Sequence, residues 1–311
     1  MITKEEYIAA AEKHIRKSRI NLIITMVYTL ILVITTFVLS TNRSGNPSQH
    51  LLMLIILLAS SAVISGNSRK ASHYKTNFAI AKALQSYNNF PYTAHSEGVI
   101  TEQIIKENDP FRRAALQHIL RVHYTINGNP DAAYKVLIND VSLFAADRFY
   151  ELQYLNDLLN FYAEFGNDPG SLRYADEAAM KFDSITAAFP KLKKDFQVIE
   201  KDFDNCIMLS FAHGDYRRCA DLLEARMNIY RKRKESSNSV KIHLAMDGIM
   251  TAECLFRLGD PRGALILCDE YAPALADINY QKYIADDLTA RIRAALNNNQ
   301  GEVNDYYGRS I

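Results

Sequence analysis

The residues of this chain that could do chemistry are few and scattered. His118 and His123 are five apart in one helical run, a spacing that shares a face less well than three or four, so they read as surface or packing histidines. Cys206 and Cys219, and likewise Cys254 and Cys268, straddle two turns at a spacing wrong for zinc. They read as small buried residues. The sharpest charge cluster is Arg231-Lys232-Arg233-Lys234, after the apolar stripe Leu222, Leu223, Met227 and Ile229 or Tyr230. Cations at a helix C-terminus complement its dipole, and contact with anionic lipid or nucleic acid is the functional alternative. GxxxxGKS or GxxxxGKT, GxGxxG, HExxH and GxSxG are all missing, which leaves phosphate-cradling, dinucleotide, zinc-protease and elbow-serine chemistry without support. The expectation is a protein that is not an enzyme, with no cofactor, no metal and no catalytic residue.

The elements that must position these residues divide the 311-residue chain sharply. Its formal charge of +1 is a cancellation: residues 1–89 hold ten Lys and Arg against three Asp and Glu, and the remainder is mildly acidic. That balance gives no general nucleic-acid surface, and no nucleic-acid partner is expected. Residues 20–66 contain no Asp or Glu and a single basic residue, Arg43. Two apolar runs lie there. Ile20–Leu39 has the length of about 20 residues that a helix needs to cross a bilayer, and its Thr hydroxyls can bond back to helical carbonyls. Leu51–Gly66 is shorter, and its small residues Ser61, Ala62, Ser65 and Gly66 suit close helix packing. The connecting Ser40–His50 is rich in turn formers, so residues 20–39 and 50–66 read as a two-helix transmembrane hairpin. Basic residues flank it on both sides, Lys13, Arg16, Lys17 and Arg19 before and Arg69, Lys70 and Lys75 after. Both ends are therefore expected on the cytoplasmic side of a cell membrane. Residues 1–19 carry a capping-box pattern, Thr3 with Glu6, and apolar residues at helical spacing. They are expected to form an amphipathic helix along the membrane face.

From about Ser72 onward every segment has helical periodicity and none alternates as a strand does, so an all-α fold is expected. Ser72–Asn89 predicts one helix and Thr101–Glu107 a short one; Asp109-Pro110 opens the next. Residues 67–110 form a membrane-proximal linker, 111–297 a repeat domain and 298–311 a polar tail. Within the repeat domain one punctuation recurs: Gly128-Asn129-Pro130, Gly166-Asn167-Asp168-Pro169, Gly214-Asp215 and Gly259-Asp260-Pro261. Each glycine suits a left-handed helix C-cap, and the Asn or Asp after it can cap the next helix. The pattern predicts about four antiparallel helix pairs, stacked, with residues 278–296 as a helix covering the open end.

The copies at 245–271 (AMDGIMTAECLFRLGDPRGALILCDEY) and 203–225 (FDNCIMLSFAHGDYRRCADLLEA) resemble tetratricopeptide repeats, TPR for short. Each has an apolar first helix, a Gly-Asp turn and a small residue five or six positions on, Ala264 in one and Cys219 or Ala220 in the other. The turn spacings of 38, 48 and 45 residues exceed the usual repeat, and the family's opening Trp is missing. The resemblance implies a TPR-like α-solenoid whose first helices line a partner-binding groove. Asn156, Asn160, Lys201, Asp204, Glu253 and Arg257 are its candidate residues here. The combined expectation is a membrane-anchored scaffold that binds a protein or peptide partner. The alternatives are an oligomeric membrane assembly or structural factor, and an enzyme with a site between repeats.

Overall fold

A computed structural model describes residues 1–41, 55–56, 60, 78–138, 147–166, 169–233 and 238–297. Most of the second apolar run with its small residues, the Ser40–His50 connection beyond Thr41, the basic flank Arg69, Lys70 and Lys75, and the 298–311 tail lie outside the described residues. Among those described the structure is helical and contains no strand. The chain forms two compact units, Glu12–Ala81, and Met1–Ala11 together with Lys82–Ile311.

The helix α1, Lys4–Thr41, runs through both stretches of sequence. Its portion beyond Glu12 belongs to the smaller unit and is the one described helix long and apolar enough to cross a membrane. Leu22, Ile23, Met26, Leu30, Val33 and Phe37 stand exposed along it, an apolar surface that water does not favour. Thr25, Thr29, Thr35 and Thr36 donate their hydroxyls to the carbonyls of Asn21, Thr25, Ile31 and Leu32 at 2.7–2.8 Å. No threonine hydroxyl of that run is left to seek water, as anticipated from the sequence.

The larger unit begins with the first eleven residues. They pack against protein. Tyr7 is buried, its ring stacked on Phe203 with centroids 3.8 Å apart, and Ala11 is fully enclosed. Lys4 pairs with Asp221, and the Cys206 thiol reaches the Ile2 carbonyl at 3.6 Å. An apolar stripe of Tyr and Ala suits a protein groove as well as a lipid surface, and periodicity alone does not choose between them.

The remaining helices are α2 (Phe78–Asn89), α3 (Ala94–Lys106), α4 (Pro110–Ile126), α5 (Pro130–Ile138), α6 (Arg148–Phe165), α7 (Pro169–Ala188), α8 (Phe196–Ala212), α9 (Tyr216–Arg233), α10 (Asn238–Arg257), α11 (Pro261–Tyr271) and α12 (Asn279–Leu296). The helix expected at Thr101–Glu107 starts earlier, because Thr93 and Ser96 form a reciprocal capping box. From α3 to α12 each helix packs on the next, and α4 on α6, α6 on α8 and α10 on α12 also meet.

The pairing follows from the turns. Gly128, Gly214 and Gly259 adopt φ of +68°, +76° and +84°, the left-handed conformation that a side chain resists. Gly166 departs from the expectation: its φ is −78°, and its N–H simply closes the last turn of α6 on the Tyr162 carbonyl. Asn129, Asp215 and Asp260 cap the following helices through the N–H groups of Ala132, Arg218 and Gly263. Five residues past each left-handed glycine stand Ala133, Cys219 and Ala264, all fully enclosed. Cys219, not Ala220, therefore occupies the small position of its pair. A Cβ at Gly248 would come within 2.2 Å of the Tyr271 ring, so α10 and α11 approach over a bare backbone. The last helix returns to the first pair: Gln281 donates to the Ile126 carbonyl at 3.1 Å, and the Tyr280 ring fills the space beside Gly128.

Candidate functional site

The first helices of the pairs, α4, α6, α8 and α10, surround a cavity of about 290 Å³ together with α9 and α12. Its position follows from register. His118, Asn156, Asp204 and Ile249 each stand ten residues before a turn glycine, and all four line it. Ten residues is close to three turns, so equal distance from the turn places side chains at equal depth on one face. Val122, Asn160 and Met208, six before their glycines, line it as well.

Arg226 of α9 lies at the centre of its polar side. The guanidinium donates to both Asp247 oxygens at 2.6 and 2.8 Å and to Asp204 at 2.6 Å, joining α8 to α10. Asp204 also accepts from Asn160 at 2.7 Å and Asn156 at 3.2 Å, and Asn156 donates to Asn205 at 2.8 Å. Burial pushes both carboxyls up, but they end differently. Arg226 and the two asparagines outweigh burial at Asp204, which is held below the usual carboxylate range. At Asp247 burial prevails over the same arginine and the carboxyl is raised. A single guanidinium does not fully compensate two buried acids.

A second network stands on α4 and α6. Arg121 donates to Asp157 at 2.8 Å, Gln153 to the same oxygen at 3.0 Å, and the His118 Nδ1 lies 2.9 Å from the other. Burial opposes ionisation of Asp157, yet Arg121 and His118 overcome it and hold its carboxyl low. Glu164 has no such support. Burial drives it up to about 8, only partly opposed by Arg121 and reinforced by Asp204, so the cavity wall carries a protonated carboxyl at neutral pH. His243, with its Nε2 2.9 Å from the Tyr92 hydroxyl, is pushed down to about 4 by burial and then by Arg226. It is neutral at pH 7.

Of the six groove candidates, the structure brings together Asn156, Asn160 and Asp204 at this cavity. Lys201 sits beside it, its carbonyl accepting from Asn156 at 3.4 Å and its ammonium 5.0 Å from the centre of the Phe149 ring. Burial lowers its pKa. Glu253 and Arg257 are not part of the cavity. They are buried against α12 and α9, with Glu253 accepting from Arg257 at 2.6 Å and Arg291 at 2.7 Å, and Arg257 also donating to the Tyr216 hydroxyl at 2.8 Å. Sequence reasoning missed Arg121, Glu164, Arg226, His243 and Asp247. Equal distance from the turn glycines was the signal that could have found the cavity face. Arg226 escaped because it reaches in from a second helix, where the resemblance gave no reason to look.

The other sequence features have separate places. Arg231 donates to the Tyr271 hydroxyl and to Asn228, Lys232 is exposed at the end of α9, and Arg233 is its last residue. Lys234 lies outside the described residues. His123 is buried beside Asn127, while His118 faces the cavity, so the two histidines do not form one site. All four cysteines are buried and free. Cys254 bonds with Cys219 across α9 and α10, and that hydrogen bond, with burial, raises its pKa. Among the described residues no three His, Cys, Asp or Glu side chains are grouped to hold a metal ion.

Comparison with protein-family models and with curated protein sequences returned no match. The functional reading therefore rests on the cavity and on the apolar helix.

Proposed function

We propose that the protein is a membrane-anchored scaffold, in which a TPR-like helical array receives a segment of a protein partner in the cavity between its first helices. The single observation that carries this reading is convergence: four successive first helices, equally far from their turns, direct His118, Asn156, Asp204 and Ile249 to one cavity of about 290 Å³. That volume lies at the small end of ligand sites and suits one or two side chains of a partner.

The anchor in this proposal is a hairpin of residues 20–39 and 50–66 with both ends cytoplasmic. The exposed apolar face of α1 and its internally satisfied threonines support the first span. The lack of acidic residues over 20–66 and the basic flanks support the second and the orientation. Arg231, Lys232, Arg233 and Lys234 would lie near anionic headgroups in the same arrangement.

A photo-crosslinking amino acid at Met246 or Met250, followed by mass spectrometry from intact cells, tests the scaffold. Recovery of one defined partner, lost when Asp204 is replaced by Leu, is the expected result. Recovery of copies of this chain alone would transfer the assignment to an oligomeric structural factor.

A further inference from the structure

Carboxyl groups outnumber guanidinium groups on the cavity wall. Three carboxyl groups line it, Glu164, Asp204 and Asp247, against two guanidinium groups, Arg121 and Arg226. Neither guanidinium is uncommitted. Arg121 pairs with Asp157 just behind the wall, and Arg226 divides itself between Asp204 and Asp247. Asn160 spends its amide N–H on Asp204, and its carbonyl oxygen, wholly shielded, accepts no hydrogen bond. The other shielded lining atom without a bond, Arg121 Nε, belongs to a cation already paired. Val122, Met208, Met246, Met250 and Ile284 complete the wall with apolar surface.

We infer that this cavity is a receptor for a single organic cation, an ammonium or guanidinium on a short apolar stem, held by the oxygens of Glu164, Asn160 and the Asp204–Asp247 pair. Such a group supplies N–H donors to acceptors that lack them and a positive charge where carboxyls are in excess. Its methylene stem fits the methionine-rich side, since long cationic side chains bury their stems against apolar walls. An anion is disfavoured, because it would face the ionised Asp204 with both guanidinium groups engaged. The proposal rests on the reading of the array as a binding module and specifies what that module takes: a Lys or Arg side chain of the partner, or a small amine of the same chemistry.

Glu164 couples binding to protons. Arg121 of α4, Asp204 of α8 and Tyr280 of α12 are the groups that interact with it, and burial holds it protonated at neutral pH. A bound cation favours its ionised form, so binding expels a proton and strengthens as pH rises from 6 to 8.

The test uses the full chain in detergent micelles and calorimetric titration with n-butylammonium, n-butylguanidinium, n-pentanol and butyrate. Two end-capped tripeptides, Ala-Lys-Ala and Ala-Arg-Ala, form the second arm. The cations are expected to bind saturably with a buffer-dependent heat that reports proton release, and pentanol and butyrate to give none. Glu164→Gln is expected to weaken binding about tenfold or more and to abolish the proton release. A thermal melt of the unaltered protein gives the same answer without a variant, because only the cations should raise its midpoint. Equal binding of pentanol, preference for butyrate, or no saturable cation binding up to about 10 mM would overturn the assignment. Tighter binding of a tripeptide than of the free amines identifies a side chain as the natural occupant, and the reverse order identifies a small amine. Cation binding together with self-capture alone in cells would leave the receptor standing and remove the scaffold. Capture of a defined partner by a protein that binds no cation would do the opposite.

Discussion

Two buried charge clusters among the described helices share their charges in opposite ways at their centres. Around Arg226 one guanidinium is shared by two carboxylates, Asp204 and Asp247. Around Glu253 one carboxylate is shared by two guanidinium groups, those of Arg257 and Arg291. The second cluster is closed: Arg291 also reaches Asp287, Arg257 reaches Tyr216, and the Arg257 and Glu253 side chains are each 3 % exposed. The first borders a cavity, and Asp204 retains 27 % exposure there. A buried ion cluster with its bonds completed holds helices together. The proposed receptor is the one whose shared guanidinium stands beside a void.

Removing partners should separate the two. Glu253→Ala removes the carboxylate that two buried guanidinium groups share and is expected to cost about 4 kcal/mol, read as a lower denaturation midpoint in urea. Arg226→Met leaves Asp204 and Asp247 facing the cavity, where water and protonation relieve them, and about 2 kcal/mol is expected in the same measurement. Equal losses would erase the distinction between a closed cluster and an open one.

Titration sharpens the comparison further. Glu164 has a folded pKa of about 8, above its unfolded value of 4.5, so the unfolded chain gives up this proton first as pH rises. Its contribution is intact below pH 4.5 and is lost progressively up to pH 8. Glu164→Gln should therefore leave stability unchanged near pH 4.5 and raise it by about 2 kcal/mol at pH 8, allowing for water in the cavity. A gain independent of pH would show that the carboxyl ionises freely. His243 works at the other limb. Its folded pKa of about 4 lies below 6.5, so its contribution is complete above pH 6.5 and fades as pH falls toward 4. His243→Gln should flatten the acid limb by on the order of 1 kcal/mol in pH-dependent melts, and an unaltered limb would count against burial as the cause.

The helix pairs were legible because turn chemistry is local. A glycine with a capping Asn or Asp one residue on marks both ends of a reversal without reference to anything distant. Asn156, Asn160 and Asp204 could be placed for the same reason, being fixed turns away from Gly166 and Gly214. Glu253 and Arg257 are groove candidates only through the resemblance, and α12 packs on α10 and supplies Arg291, so the face that is open on α6 and α8 is closed there. That contact joins residues 38 apart, and no periodicity announces it. Arg226, Glu164 and the docking of Tyr7 depend on equally remote neighbours, Tyr7 on Phe203 across most of the domain.

The return of α12 to the first pair also bears on how the domain comes apart. In a linear array each unit is held by its neighbours alone, so the ends fray and unfolding spreads inward by stages. Here Gln281 grips the Ile126 carbonyl and Tyr280 lies against Gly128, contacts spanning about half the chain. Neither terminal pair can loosen without breaking a bond to the other. Such ties are expected to make the domain unfold as a more cooperative unit, to slow its assembly because distant segments must find each other, and to protect it from piecemeal opening to proteases.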